Sequence, residues 1–123
     1  MTWTEIGLNH LSGAQRTLNY EPRSSVSRAY YAVHVTLAEK LIARGFVPPT
    51  NQQTPGHAQQ LKLIKKLFAK EGKNFAKTLK ALVNRLYRRR IDADYLRTVT
   101  VDRRMALDCL IDAVSVLKSL ERM

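Results

Sequence analysis

The chain has 123 residues, and 45% of them are hydrophobic, which suffices for one ordered domain over residues 1–123. Lysine and arginine number 21 against 10 aspartates and glutamates, and the resulting net charge of +11 favours an anionic partner: RNA, DNA, a nucleotide or an acidic protein. The single cysteine excludes an internal disulfide and a cysteine-pair metal site.

Helical periodicity runs along the chain and predicts an all-α, up-and-down bundle of about five helices. The first helix is expected over roughly 2–19 and the second over roughly 24–44, ending at Gly45. A loop follows at 46–56, in which Thr54 and Pro55 resemble a helix N-cap and a first helical residue.

Three more helices are expected in the second half of the chain, at roughly 57–69, from 74 into the arginine run, and at 102–120. The last of them contains Cys109 within an apolar stripe, which is typical of a buried, reduced thiol in the cytoplasm. No apolar run approaches the length that spans a bilayer, so we expect no membrane partner.

The second helix is apolar on two sides. One stripe starts at Val26, and a second consists of Tyr31, Val35, Ala38 and Ile42. Such a helix is either central in its bundle or buries one face against another subunit. We predict the subunit arrangement, a homodimer with the second stripe in its seam and Arg28 beside it, because three large apolar side chains would otherwise form an exposed patch. The competing account buries this stripe inside the bundle, against the first or the fifth helix.

The positive charge is concentrated in one part of the chain. Residues 1–61 carry +2, residues 62–90 carry +10 and residues 91–123 carry −1. Because neighbouring like charges destabilise a helix, this segment is predicted to bind a polyanion backbone. The predicted phosphate-binding residues are Lys62, Lys65, Lys66, Lys73, Lys77, Lys80, Arg85, Arg88, Arg89 and Arg90.

The sequence LYRRRIDADYL places two acidic residues after three arginines. On a continuous helix, Arg88 can pair with Asp92, and Arg90 with Asp94. Both pairs have the less favourable order for stability, with the cation first. An arginine cluster oriented by carboxylates beside Tyr95 is better suited to binding a phosphate.

The segments SVSRAYYAVHVTLAEKLIARG, PGHAQQLKLIKKLF, LVNRLYRRRIDADYL and ALDCLIDAVSVL together resemble the HEPN superfamily, in its prokaryotic SRAYYA and R…ADY branch. The resemblance covers most of the chain. It implies a four-helix core, usually dimeric. Many members are metal-independent endoribonucleases, including toxins paired with minimal nucleotidyltransferase antitoxins, and others only bind nucleic acid or nucleotide.

The resemblance also identifies candidate site residues. Arg88 and Tyr95 match a motif of arginine, four residues, histidine, one residue and tyrosine, in which the tyrosine can be adenylylated, but Ala93 replaces the histidine. The nuclease spacing of arginine and histidine is met instead by Arg28 and His34. His57 is a possible accessory imidazole, although a helix-capping or core-edge role explains it as well, and Tyr31 is a second accessory candidate.

These features predict an RNA-directed HEPN-type protein, possibly the endoribonuclease of a toxin–antitoxin or defence module, with no metal and no cofactor. The alternative is a non-catalytic helical subunit, or a nucleotide- or RNA-binding partner of a nucleotidyltransferase or a larger ribonucleoprotein. In that case the basic face is a docking surface.

Overall fold

A computed structural model describes residues 1–48 and 54–123 of the chain. These residues contain no strand, and the predicted all-α fold is confirmed. Its elements are α1 (Trp3–Thr17), α2 (Pro22–Ala43), α3 (His57–Leu67), a short 3-10 turn (Ala69–Glu71), α4 (Lys73–Tyr95) and α5 (Arg103–Glu121).

Side-chain caps define the first ends of two helices. Thr2 accepts a hydrogen bond from the Glu5 amide, and the Glu5 carboxylate accepts one from the Thr2 amide, which forms a capping box at the start of α1. Asp102 accepts from the Met105 amide in the same way before α5. Both helices therefore begin within one residue of their predicted starts.

One helix start and one helix cap differ from the prediction. α2 begins earlier than expected, at Pro22, because proline fits the first helical position without losing a needed hydrogen bond. α3 begins at His57, as expected, but its N-cap is Gly56, so the interpretation of Thr54 and Pro55 as the N-cap and first helical residue is wrong. Part of the predicted 46–56 loop, residues 49–53, lies outside the described residues.

α2 is the central helix, and it packs against all four other helices. Its first stripe is buried and consists of Val26, Tyr30, Val33, Leu37 and Leu41. Ser25 on α2 donates to the Ala14 carbonyl, and Glu39 accepts from the Trp3 amide, so α1 runs antiparallel to α2. Cys109 of α5 is buried in the same core, and burial raises the pKa of its thiol to about 12.

The reason given above for a homodimer seam is wrong. Val35 and Ala38, on the second stripe of α2, are buried inside the chain under α1. Gly7 makes this contact possible, because a Cβ added there would collide with the Thr36 hydroxyl and lie 3.0 Å from the Ala32 carbonyl oxygen. The competing account, which buried this stripe within the bundle, agrees with the structure, and α1 is the helix that covers it.

The end of α4 is held by a side chain from the start of α2. The Arg23 guanidinium donates to the carbonyls of Asp92, Ala93 and Leu96 at 3.0, 3.1 and 3.2 Å. It also donates to the carbonyls of Arg97 and Val99. Backbone amides already donate to the carbonyls of Asp92 and Leu96, so Arg23 adds a charged donor to this helix end and complements the helix dipole.

We expect Arg23→Ala to lower the free energy of unfolding by roughly 2 kcal/mol, because part-buried carbonyls at the end of α4 lose a charged donor. Denaturant unfolding should show this loss, and hydrogen exchange should accelerate at the amides of residues 92–99. Arg23→Lys should recover less than half of the loss, since an ammonium cannot span the five acceptors. Arg103→Ala is the matched control, because Arg103 makes one side-chain bond, to Asn19. Equal losses in Arg23→Ala and Arg103→Ala would contradict the prediction.

Candidate functional site

The two signature segments of the sequence meet in the structure. Ser27, from the SRAYYA segment of α2, donates to the Asp94 carboxylate at 3.1 Å. Tyr31, one turn further, accepts from the Arg90 guanidinium at 2.6 Å. The start of α2 and the end of α4 therefore form one surface, although 67 residues separate Ser27 from Asp94 in sequence.

Arg90 organises this surface. Its Nε lies 2.9 Å from Oδ2 of Asp94, an ion pair that lacks the alignment of a hydrogen bond. Its terminal nitrogen also donates to the Tyr95 hydroxyl at 3.3 Å. The guanidinium carbon lies 5.2 Å from the ring centres of both Tyr31 and Tyr95. We call Tyr30, Tyr31, Arg90, Asp94 and Tyr95 the tyrosine–arginine cluster.

The arginines predicted to hold phosphate differ in their contacts. Arg90 pairs with Asp94 as expected, and only 16% of its side chain is exposed. The expected pair of Arg88 with Asp92 is wrong, since Asp92 lies 3.7 Å from Arg89 instead. Arg85 forms a bidentate pair with Asp112 of α5, with both distances at 2.8 Å. Arg88 is therefore the exposed member of the run that has no ion pair among the described residues.

Arg28 and His34 contact different parts of the molecule. The Arg28 guanidinium lies against Gly13 of α1. Burial first, and then the nearby Arg28 charge, lower the pKa of His10 on the same helix. His34 faces α3, and its Nδ1 lies 3.2 Å from the Tyr30 hydroxyl. Among the described residues no hydrogen bond joins the two, so the structure does not assemble them into one site.

His34 belongs to a half-buried group of aromatic rings, which we call the histidine pocket: His34, His57, Tyr30 and Tyr87. The His57 ring stacks on Tyr87 with centres 3.8 Å apart and planes 6° from parallel. His57 Nε2 donates to the Asn84 side-chain oxygen at 3.3 Å, whereas its Nδ1 has no partner among the described residues. His57 therefore packs between α3 and α4, and it does not cap α3.

Burial sets the protonation of the pocket. Desolvation, with a smaller contribution from His57, lowers the pKa of His34 to about 4. Desolvation also lowers the pKa of His57 and raises that of Tyr30. At neutral pH both imidazoles are therefore uncharged. They form hydrogen bonds within the pocket, and they offer no positive charge to a phosphate.

Ala93 and Tyr95 occupy contrasting environments. Ala93, where the motif histidine was expected, is 6% exposed, and its carbonyl accepts from Arg23. The neighbouring Tyr95 is 65% exposed, with its hydroxyl held by Arg90. The position of the missing imidazole is therefore part of the core, while the tyrosine of the same motif is open to solvent.

Seven lysines between 62 and 80 lie on α3, the 3-10 turn and α4, and none of them forms an ion pair with another described residue. The ion pairs of the described residues are Arg44–Glu71, Arg85–Asp112, Arg89–Asp92, Arg90–Asp94 and Arg104–Asp108. Glu71 is the acidic residue within the segment 62–80, and its carboxylate lies 2.7 Å from the Arg44 guanidinium. We call these lysines together with Arg85, Arg88 and Arg89 the basic face.

A groove of about 650 Å³ runs along the basic face between α3 and α4. Its apolar lining comes from Leu61 and three alanines, and lysines alternate with them. The lining residues are Leu61, Lys65, Ala69, Lys73, Ala76, Lys77, Lys80, Ala81 and Asn84. Asn84 joins one end of this groove to His57 of the histidine pocket.

Three residues with important contacts were missed in the sequence. Arg23 has no local signal, because its partners lie 69–76 positions away. Gln60 is fully buried and donates to the His34 carbonyl at 2.9 Å. Tyr87, the third, stacks on His57. Gln60 precedes Ile64 by four residues and Tyr87 follows Val83 by four, so each lies on the apolar stripe of its helix, and periodicity could have identified both.

The described residues hold no group of three or more histidine, cysteine, aspartate or glutamate side chains that could bind a metal ion. No helix among them is long and apolar enough to cross a membrane. Comparison of the chain with protein-family models, curated proteins and solved structures gives no match. The resemblance to HEPN proteins stays a prediction that depends on the motifs alone.

The low pKa of His34 predicts acid sensitivity. The unfolded chain binds a proton near pH 6.5 and the folded chain only near pH 4, so stability falls as the pH drops through this window. Between about pH 7.5 and about pH 5 the loss due to His34 should be about 2 kcal/mol.

Denaturant unfolding at the two pH values measures this loss. His34→Gln should reduce it, because the amide does not titrate, while the lowered pKa values of His10 and His57 leave a residual slope of the same sign. Tyr87→Phe is the control, since it alters the pocket without removing a titrating imidazole. An undiminished pH dependence in His34→Gln would show that His34 is not the buried titrating group.

Proposed function

We propose that this chain is an RNA-binding helical protein of the HEPN type, which binds the phosphate backbone with its basic face. One observation carries the proposal: the seven lysines from 62 to 80 have no carboxylate partner among the described residues. All the ion pairs of the described residues use arginines, and Glu71, the acidic residue within this segment, is paired with Arg44 and not with a lysine.

The spacing of the lysines makes an external anion favourable. Lys62 and Lys66, like Lys73 and Lys77, lie one turn apart on the same side of their helix. Each such like-charge pair costs about 0.2–0.5 kcal/mol. A polyanion removes this repulsion and releases its own counterions, which is the main source of sequence-independent affinity for nucleic acids.

A role without catalysis is the better supported form of this proposal. The buried Ala93 leaves no imidazole at the motif position, and Arg28 and His34 contact different helices. These contacts favour the second candidate, a non-catalytic subunit that binds RNA or a nucleotide beside a nucleotidyltransferase or within a larger ribonucleoprotein. The exposed Tyr95 and the tyrosine–arginine cluster would then form the surface next to that partner. A homodimer also stays a proposal.

Binding of a labelled single-stranded RNA should weaken steeply between about 50 and about 200 mM salt. The double variant Lys62→Ala/Lys66→Ala should reduce the slope of log K against log salt by about 1.4, which corresponds to two lost phosphate contacts. Fluorescence anisotropy in EDTA measures both. Affinity that does not change with salt would rule out backbone binding.

The double variant Lys118→Ala/Arg122→Ala removes the same charge from exposed positions of α5 and its end, outside the basic face. It should leave the slope close to that of the parent. The same RNA, analysed by gel after incubation, reports cleavage. Cleavage by the parent that is lost in both Arg28→Ala and His34→Ala would establish a nuclease and overturn the non-catalytic form.

A further inference from the structure

The groove between α3 and α4 combines two properties that phosphate binding alone does not need. Its floor is alkyl, made by Leu61, Ala69, Ala76 and Ala81. Its lysines stand on both sides, Lys65 from α3 and three from α4. Amphipathic ligands need both an apolar floor and a charged rim, whereas a polyanion backbone needs only the charge.

The lining lysines of α4 follow the axis of the groove. Lys73, Lys77 and Lys80 have the spacing i, i+4 and i+7, which places them along one side of the helix. From Lys73 to Asn84 the lining extends over about 16 Å at the rise of an α-helix. This length accommodates about three turns of a second helix.

The chemistry of the floor discriminates between two kinds of anionic occupant. Proteins that hold single-stranded nucleic acid usually stack its bases on aromatic rings, and among the described residues no aromatic side chain lines this groove. Small side chains such as Ala69, Ala76 and Ala81 instead permit close approach of another helix, whose apolar residues fill the groove at helical spacing. The four lysines, with no carboxylate in the lining, complement acidic residues on both flanks of that helix.

We propose that the α3/α4 groove binds an acidic amphipathic helix of a partner protein. Its leucine-type residues would lie on the alanine floor, and its glutamates or aspartates would face Lys65, Lys73, Lys77 and Lys80. This inference goes beyond RNA binding and does not depend on it. The two proposals share the groove lysines, but only the helix uses the apolar floor.

The probe is a stapled helical peptide with leucines at i, i+3, i+4 and i+7 and glutamates on both flanks, labelled for anisotropy. Its matched control is a stapled peptide of the same composition in which the leucines are spread around the helix. The full-length protein should bind the first at least about tenfold more tightly than the second. Equal binding of the two peptides would show that charge alone accounts for the affinity, and it would overturn the proposal.

Ala81→Gln tests the floor without changing charge. Ala81 is exposed on the groove, so glutamine should obstruct the peptide while the helix stays folded. We expect at least about a tenfold loss of peptide affinity and unchanged RNA affinity. Thr78→Gln, at an exposed α4 position outside the lining, should behave as the parent. Circular dichroism and thermal unfolding confirm that both variants are folded.

Charge reversal supplies a second, independent test. Lys77→Glu should abolish peptide binding, whereas Lys118→Glu on α5 should not. Peptide binding that survives both Ala81→Gln and Lys77→Glu would show that the groove is not the site. If the parent binds no peptide and Ala81→Gln weakens RNA, the groove holds an RNA strand, and this inference fails while the proposed function stands. Peptide binding by a parent protein that binds no RNA would support this inference and overturn the proposed function.

Discussion

Five backbone carbonyls at the end of α4 and in the turn after it accept hydrogen bonds from one guanidinium, that of Arg23. This contact fixes the last turn of α4 against the first turn of α2. From it follow the short distance between Tyr31 and Arg90 and the bond from Ser27 to Asp94. The tyrosine–arginine cluster therefore depends on a residue that has no hydrogen bond to any of its side chains.

The same arrangement separates the charges of the molecule into two groups. Where α4 packs against α2 and α5, its arginines form ion pairs, Arg90 with Asp94 and Arg85 with Asp112. Further back, towards the start of α4 and along α3, the lysines have no such partners within the described residues. Ion pairs at a partly exposed surface contribute little to stability, so carboxylate partners for these lysines would have stabilised the fold only slightly.

The sequence predicted local features well, because local physics determines them. Apolar periodicity located α1 and α5 to within one or two residues, and the capping residues Thr2 and Asp102 account for where these helices begin. The apolar residues on two faces of α2 predicted that both faces are buried. Periodicity does not say whether another helix of the chain or a second subunit covers each face. Gly7, which admits α1 onto the second face, looked like any other position on the apolar side of that helix.

The candidate site was predictable only in part, because it depends on contacts between distant segments. Two motifs, each visible in sequence, suggested Tyr31, Arg90 and Tyr95, and the structure places them together. Arg28 and His34 had suitable spacing, but an interval of six residues on a helix sends two side chains to different neighbours. Arg23 and the alkyl floor of the groove arise from tertiary packing, for which no local pattern exists.

The first turn of α1 contains a natural spectroscopic reporter. Trp3 is the single tryptophan of the chain, and it is half-buried. Its backbone amide donates a hydrogen bond to the Glu39 carboxylate of α2 at 2.9 Å. Indole emission depends on the polarity of its surroundings. Emission from the one indole thus follows the docking of α1 on the central helix without any label. Compared with far-ultraviolet circular dichroism, which follows the whole bundle, it separates release of this helix from global unfolding.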